Sequence, residues 1–94
     1  MSAKHFSPRQ ACLDTVCEDA DILFADGYDD AILGVAEWDG VWRVVYDVER
    51  ILRILRKRDG MTRDEAEEFY AFNIAGASMG ERTPVFMVRV GGKR

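Results

Sequence analysis

The chain is poor in the residues that small proteins use as staples and metal ligands: it has two cysteines and one histidine in 94 residues. Two cysteines make no disulfide framework. Cys12 and Cys17 would stand roughly 140° apart on the helix predicted around them, where they cannot bridge. A reducing, cytoplasmic setting is therefore expected. His5, in a terminus expected to fray, leaves a zinc site without its nitrogen ligands. No apolar run approaches membrane-spanning length, and the opening MSAKHFSPRQ lacks the apolar core of a signal peptide. Excess positive charge is missing too. Thirteen Lys and Arg against seventeen Asp and Glu leave a net charge of −4, which argues against nonspecific attachment to nucleic acid or an anionic membrane.

What remains is a globular composition, 48% apolar and 11% aromatic. Its length fits one domain over residues 1–94, with 1–6 and 91–94 frayed. Ser7, Pro8 and Gln10 form a helix start: a cap, a proline at the first helical position and a capping-box glutamine. Leu13, Val16, Cys17, Ala20, Leu23 and Phe24 continue at helical spacing, which predicts a first helix over residues 8–24. Two β-branched runs, 31–36 and 41–46, flank Asp39-Gly40, a hairpin signal. Gly34 inside the first run suggests a bulge or a close approach by a neighbour. Asp47 caps a second helix with Val48, Ile51, Leu52 and Leu55 as its apolar stripe, and Gly60 stops it. Thr62 and Glu65 make a capping box for a third helix, whose inner face is expected to hold Ala66, Phe69, Tyr70, Asn73 and Ile74. Residues 83–90 alternate as a last strand. The order α-β-β-α-α-β predicts an α+β fold, an antiparallel three-stranded sheet with helices packed on one face. Which strand neighbours the last one stays open.

Charge is unevenly distributed. Between residues 14 and 39 the carboxylates Asp14, Glu18, Asp19, Asp21, Asp26, Asp29, Asp30, Glu37 and Asp39 occur with no Lys or Arg among them. Such a block is either an ordinary solvated surface or a face that meets a basic partner. Asp29 and Asp30 do not fit the alternating acids of an EF-hand loop, so no metal is expected. Arg50, Arg53 and Lys57 share one helix face and would either grip phosphate or face acidic neighbours. Asn73 must find partners for its amide if buried. It would bond the backbone between Gly76 and Gly80, or line a small pocket beside Tyr46 and Asp29. Trp38, at the hairpin tip, is an interface anchor or folds back on the sheet. No Ser, His or Cys stands at a spacing that would make these sites hydrolytic.

Four segments carry a resemblance: GYDDAILGV at 27–35, VYD at 45–47, GMTRDEAEEF at 60–69, and FNIAGASMGERTPVF at 72–86. Across the span 27–86 that holds them, about two-thirds of the chain, the sequence resembles a family of small, mostly uncharacterised phage and prophage proteins. The resemblance implies a mobile element inside a bacterium. By analogy with small acidic phage proteins, it points to a non-catalytic inhibitor without a cofactor that binds a bacterial host protein, as anti-CRISPR or anti-restriction proteins do. Asp14, Glu18, Asp19, Asp21, Asp29, Asp30 and Trp38 are then the partner-binding candidates, acting by steric or DNA-mimicking occlusion of a CRISPR-Cas or other defence subunit. The competing readings are a small-ligand or nucleotide-binding module using Asn73, Tyr46 and the Gly76 to Gly80 region, and a magnesium-dependent hydrolase using Asp29 and Asp30.

Overall fold

A computed structural model describes residues 7–16, 21–77 and 80–91. The first helix, α1, runs Pro8–Thr15, with Pro8 at its start and the Ser7 hydroxyl accepting from the Gln10 N–H at 3.2 Å. It is far shorter than the sequence pattern predicts. Val16 leaves the helix in an extended conformation, and residues 21–25 carry no helix. The reason is electrostatic: a longer helix would have placed Glu18, Asp19 and Asp21 at its negative end. Ile22, Phe24 and Ala25 still pack on the core, but from irregular chain.

After a 3-10 turn over Asp29–Ala31, strands β1 (Ile32–Trp38) and β2 (Val41–Asp47) form an antiparallel hairpin. Asp39 and Gly40 both have positive φ, 56° and 79°. This is the two-residue turn whose twist matches paired strands. The tight turn draws Glu37 and Trp38 into β1. Pairing of Ile32 with Tyr46 but Gly34 with Val45 leaves Leu33 as the extra residue of a bulge, as Gly34 suggested. The bulge has a packing consequence. Ile32 and Val35, three apart, would normally face opposite sides of the sheet. Here both pair with inward residues, Tyr46 and Val44, and both join the core.

Asp47 ends β2 and caps α2 (Val48–Asp59), which buries Val48, Ile51, Leu52 and Leu55 and closes at Gly60 with φ 69°. The side chain of Asp47 is wholly buried, yet no oxygen is stranded. It accepts from the Glu49 N–H at 3.2 Å and from Arg89 Nη2 at 2.8 Å, with Arg50 Nε at 3.5 Å. Helix α3 (Arg63–Phe69) begins with the full capping box, Thr62 Oγ1 accepting from the Glu65 N–H at 3.2 Å and Glu65 Oε1 from the Thr62 N–H at 2.9 Å. Arg63 reaches back to Glu49 at 2.9 Å, tying the starts of α2 and α3 together.

Two expectations are corrected at the C-terminal end. Helix α3 passes into a π-helical segment, Tyr70–Ala75, so the third helix does not keep its α period. The last strand, β3, covers only Val85–Met87 and pairs with β2 in parallel, in the order β1-β2-β3. The sheet is mixed, not antiparallel. Segment 48–84 is a crossover long enough for parallel pairing. Pairing stops at Asp47 with Met87 because β2 has no residue left to offer before α2 begins. The inner face, with Val44, Tyr46 and Phe86, lies under α2, and among the described residues no helix is long and apolar enough to cross a membrane.

The cap geometry makes a measurable claim. Thr62→Ala is expected to cost about 0.5–2 kcal/mol, since it removes an acceptor from the first turn of α3. Urea denaturation should show a lower midpoint with an unchanged slope; an unchanged midpoint would contradict the capping role.

Candidate functional site

The acidic turn at residues 25–30 is held from three directions. From below, the buried Tyr46 hydroxyl accepts from the Ala25 N–H at 2.7 Å. From α1, Arg9 Nε donates to both oxygens of Asp29, at 2.9 and 3.0 Å, while its Nη2 reaches Asp26 at 2.7 Å. The same guanidinium lies 4.7 Å from the centre of the Phe24 ring, a cation–π geometry. From the end of α2, Arg58 donates to the Gly27 carbonyl at 2.9 Å and lies over the Tyr28 ring at 5.2 Å. Hydrogen bonds to Asp26 and then Asp29 drive the Arg9 pKa still higher, so this clamp stays charged.

Charge bookkeeping in the turn leaves a surplus. Asp26 and Asp29 carry two negative charges against the single positive charge of Arg9. Asp26 keeps 93% of its side chain exposed despite the bridge. Asp21 and Asp30 are exposed and make no ion pair among the described residues. Asp14 is exposed on α1 and accepts from Gln10 Nε2 at 2.9 Å. Glu18 and Asp19 lie outside the described residues. Trp38 is 74% exposed at the hairpin tip and does not fold back on the sheet. The tip is at the opposite end of β1 from Asp30, about 20 Å away at strand rise. The described carboxylates of the block therefore do not form one face; Glu37 and Asp39 go with Trp38.

Beside the turn, an open groove of about 720 Å³ runs between Asp29 and Asp30 on one wall and α2 on the other. Arg50, Arg53 and Lys57 line the α2 wall around Ile54. These cations face the acidic residues without closing on them: Arg50 pairs with buried Asp47, and Arg53 and Lys57 make no ion pair among the described residues. With both Asp29 oxygens taken by Arg9 and cations opposite, the site is poorly suited to magnesium. Among the described residues no three His, Cys, Asp or Glu side chains gather in a way that could hold a metal ion.

Asn73 is not where the α-helical pattern predicts. In the wider π turn the residue stacked one turn beyond Tyr70 is Ile74, not Asn73. Ile74 is accordingly buried and Asn73 exposed. Its amide makes no hydrogen bond among the described residues, including to Gly76 or Gly80. It borders a cavity of about 160 Å³ with Tyr28, Pro84 and Phe86, below the size usual for ligand pockets. Tyr46 is not part of it; Phe86, 5.8 Å from the Tyr46 ring, lines it instead. Sequence reasoning missed Arg9. A signal existed: a cation in the first turn of a helix opposes the dipole and needs an anionic partner, and the uncompensated carboxylates followed in the chain.

Compared with known proteins, the chain matches no family model, no curated protein and no solved structure.

Two outcomes test this geometry. Tyr46→Phe should cost about 1–3 kcal/mol, because the Ala25 N–H loses its buried acceptor, and hydrogen exchange at Ala25 should quicken. Burial raises the Tyr46 hydroxyl pKa, so the unfolded chain gives up that proton first. The Tyr46 contribution should hold below about pH 10 and be lost above it, and the Phe variant should lack that share of the alkaline fall. Tyr70 and Cys12 shift the same way through burial and keep theirs. Asn73→Ala, by contrast, should change stability by no more than about 0.5 kcal/mol in the same denaturation assay.

Proposed function

We propose that the protein is a non-catalytic binding protein that docks on a basic surface of a bacterial host protein through the acidic turn at residues 25–30, Asp30 included, and its neighbour Asp21. The observation that carries this reading is the mounting of the turn. Tyr46 and Arg58 hold its backbone and Arg9 bridges the carboxylates of Asp26 and Asp29, while Asp26 and Asp30 remain exposed. A loop already held in shape gives up little conformational freedom on binding. A negative surplus on such a loop accelerates encounter with a positive partner and penalises wrong ones. Separation of the hairpin-tip acids from the turn favours occlusion at one basic patch over mimicry of a long duplex. Trp38 then contacts the partner only if the interface extends the length of β1.

The bacterial setting, and a CRISPR-Cas or restriction subunit as the partner, rest on the motif resemblance at 27–35, 45–47, 60–69 and 72–86. Residues within those motifs also build the turn: Gly27, Tyr28 and Asp29 lie in the first, and Tyr46, which holds it, in the second.

Affinity capture from a bacterial lysate identifies the partner, and association kinetics test the surface. Asp21→Lys with Asp30→Lys should slow association by on the order of tenfold, with a smaller effect on dissociation. Raising salt from about 0.05 to about 0.5 M should slow the wild type similarly by shortening the reach of surface charge. Kinetics indifferent to both changes would rule the acidic turn out and direct attention to Trp38.

A further inference from the structure

The groove between the acidic turn and α2 has a chemistry that the docking reading does not use. From position 43 to position 58 the chain carries six cations, Arg43, Arg50, Arg53, Arg56, Lys57 and Arg58, against two carboxylates, Asp47 and Glu49. Folding turns Arg50, Arg53 and Lys57 onto one wall of the groove. Their charges are not spent there. Asp47, with one negative charge, is shared by Arg50 and Arg89, which leaves one positive charge over. Arg53 and Lys57 are exposed, one helical turn apart, with no carboxylate partner among the described residues. On the opposite wall Asp29 is neutralised by Arg9, and Asp30 is exposed without an ion pair. Between them lies the half-buried side chain of Ile54.

We infer that this groove binds a small phosphate monoester with a hydroxyl-bearing body. Arg53 and Lys57 take the phosphate, Ile54 supports an apolar part, and Asp30 accepts from a hydroxyl. Several features of the groove fit this ligand. A phosphate oxygen makes its strongest bonds with guanidinium and ammonium donors. Two unpaired cations a turn apart on one helix face meet one phosphate without rebuilding the helix. A volume of about 720 Å³ falls in the range of small-molecule sites. Walls of opposite charge that do not close on each other suit a ligand carrying an anionic end and a donor end. A longer nucleic-acid strand would meet the negative surplus of the acidic turn as it left the groove. The site shares Asp30 with the docking surface, whereas Arg53 and Lys57, which take the phosphate, have no part in holding the acidic turn.

Titration of the full chain with adenosine 5′-monophosphate, followed by backbone amide shifts, tests the inference. Shifts at residues 27–30 and 50–58 should saturate with a dissociation constant near or below about 1 mM. Arg53→Gln and Lys57→Gln, both at exposed positions, should each weaken binding by about tenfold or more while the rest of the spectrum stays unchanged. Inorganic phosphate should bind more weakly, and Asp30→Ala should reduce the preference for the nucleotide over phosphate. Absence of saturation up to about 10 mM, equal binding by the double Arg53 and Lys57 variant, or an unaltered preference in Asp30→Ala would overturn the assignment. So would tighter binding of a short single-stranded oligonucleotide with a steep salt dependence, which would make the groove a nucleic-acid site.

Discussion

A carboxylate sealed from water at the junction of a strand and a helix sets the conditions for everything around it. Asp47 has no exposure, so its charge must be met inside the protein. The first demand is met locally, by the N–H at the start of α2. The second is met from 42 residues away, by Arg89, and this bond fastens the chain just after β3 to the end of β2. Arg50 supplies the third contact from the first turn of the same helix. Strand end, helix start and the chain just after β3 are thereby tied together by one side chain. The neighbouring residue, Tyr46, extends the arrangement to the acidic turn, because its hydroxyl holds the backbone there. Two adjacent residues of β2 thus link the sheet, the first helix of the crossover and the most charged loop.

Local signals in the sequence were reliable where one short motif decides the geometry. The Asp39-Gly40 turn, the Asp47 cap, the Gly60 stop and the Thr62–Glu65 capping box each behave as their residues require. The bulge at Leu33 was also legible, through Gly34. Periodicity was less reliable. Apolar spacing over residues 8–24 is compatible with a helix, but the carboxylates clustered toward its end disfavour one, and the helix closes at Thr15. Periodicity also carried Asn73 inward, whereas the π segment turns it to solvent.

Long-range pairing was the least legible. The parallel register of β3 depends on where a crossover of nearly forty residues delivers the chain, and no short motif encodes that. The candidate sites show the same division. The acidic block and the basic face of α2 were both visible as composition. Their placement on opposite walls of one groove, and the division of the acids between the turn and the hairpin tip, needed the fold. Arg9 illustrates the cause: it lies outside the acidic block in sequence and becomes its main counter-charge only after α1 packs beside the turn.

The parallel third strand also constrains how the chain comes into being. The hairpin of β1 and β2 can form as soon as residue 47 is made, from local contacts and a favourable turn. The far edge of β2 then has no partner until Val85 emerges, roughly forty residues later. During that interval, residues 45–47 present an unsatisfied strand edge beside apolar Val44 and Tyr46, the sort of surface that invites pairing with another chain. Arg89 arrives only four residues after Val85, so closure of the edge and neutralisation of Asp47 are nearly simultaneous on synthesis. A chain shortened before Met87 would keep both helices of the crossover yet leave its central strand open on one side.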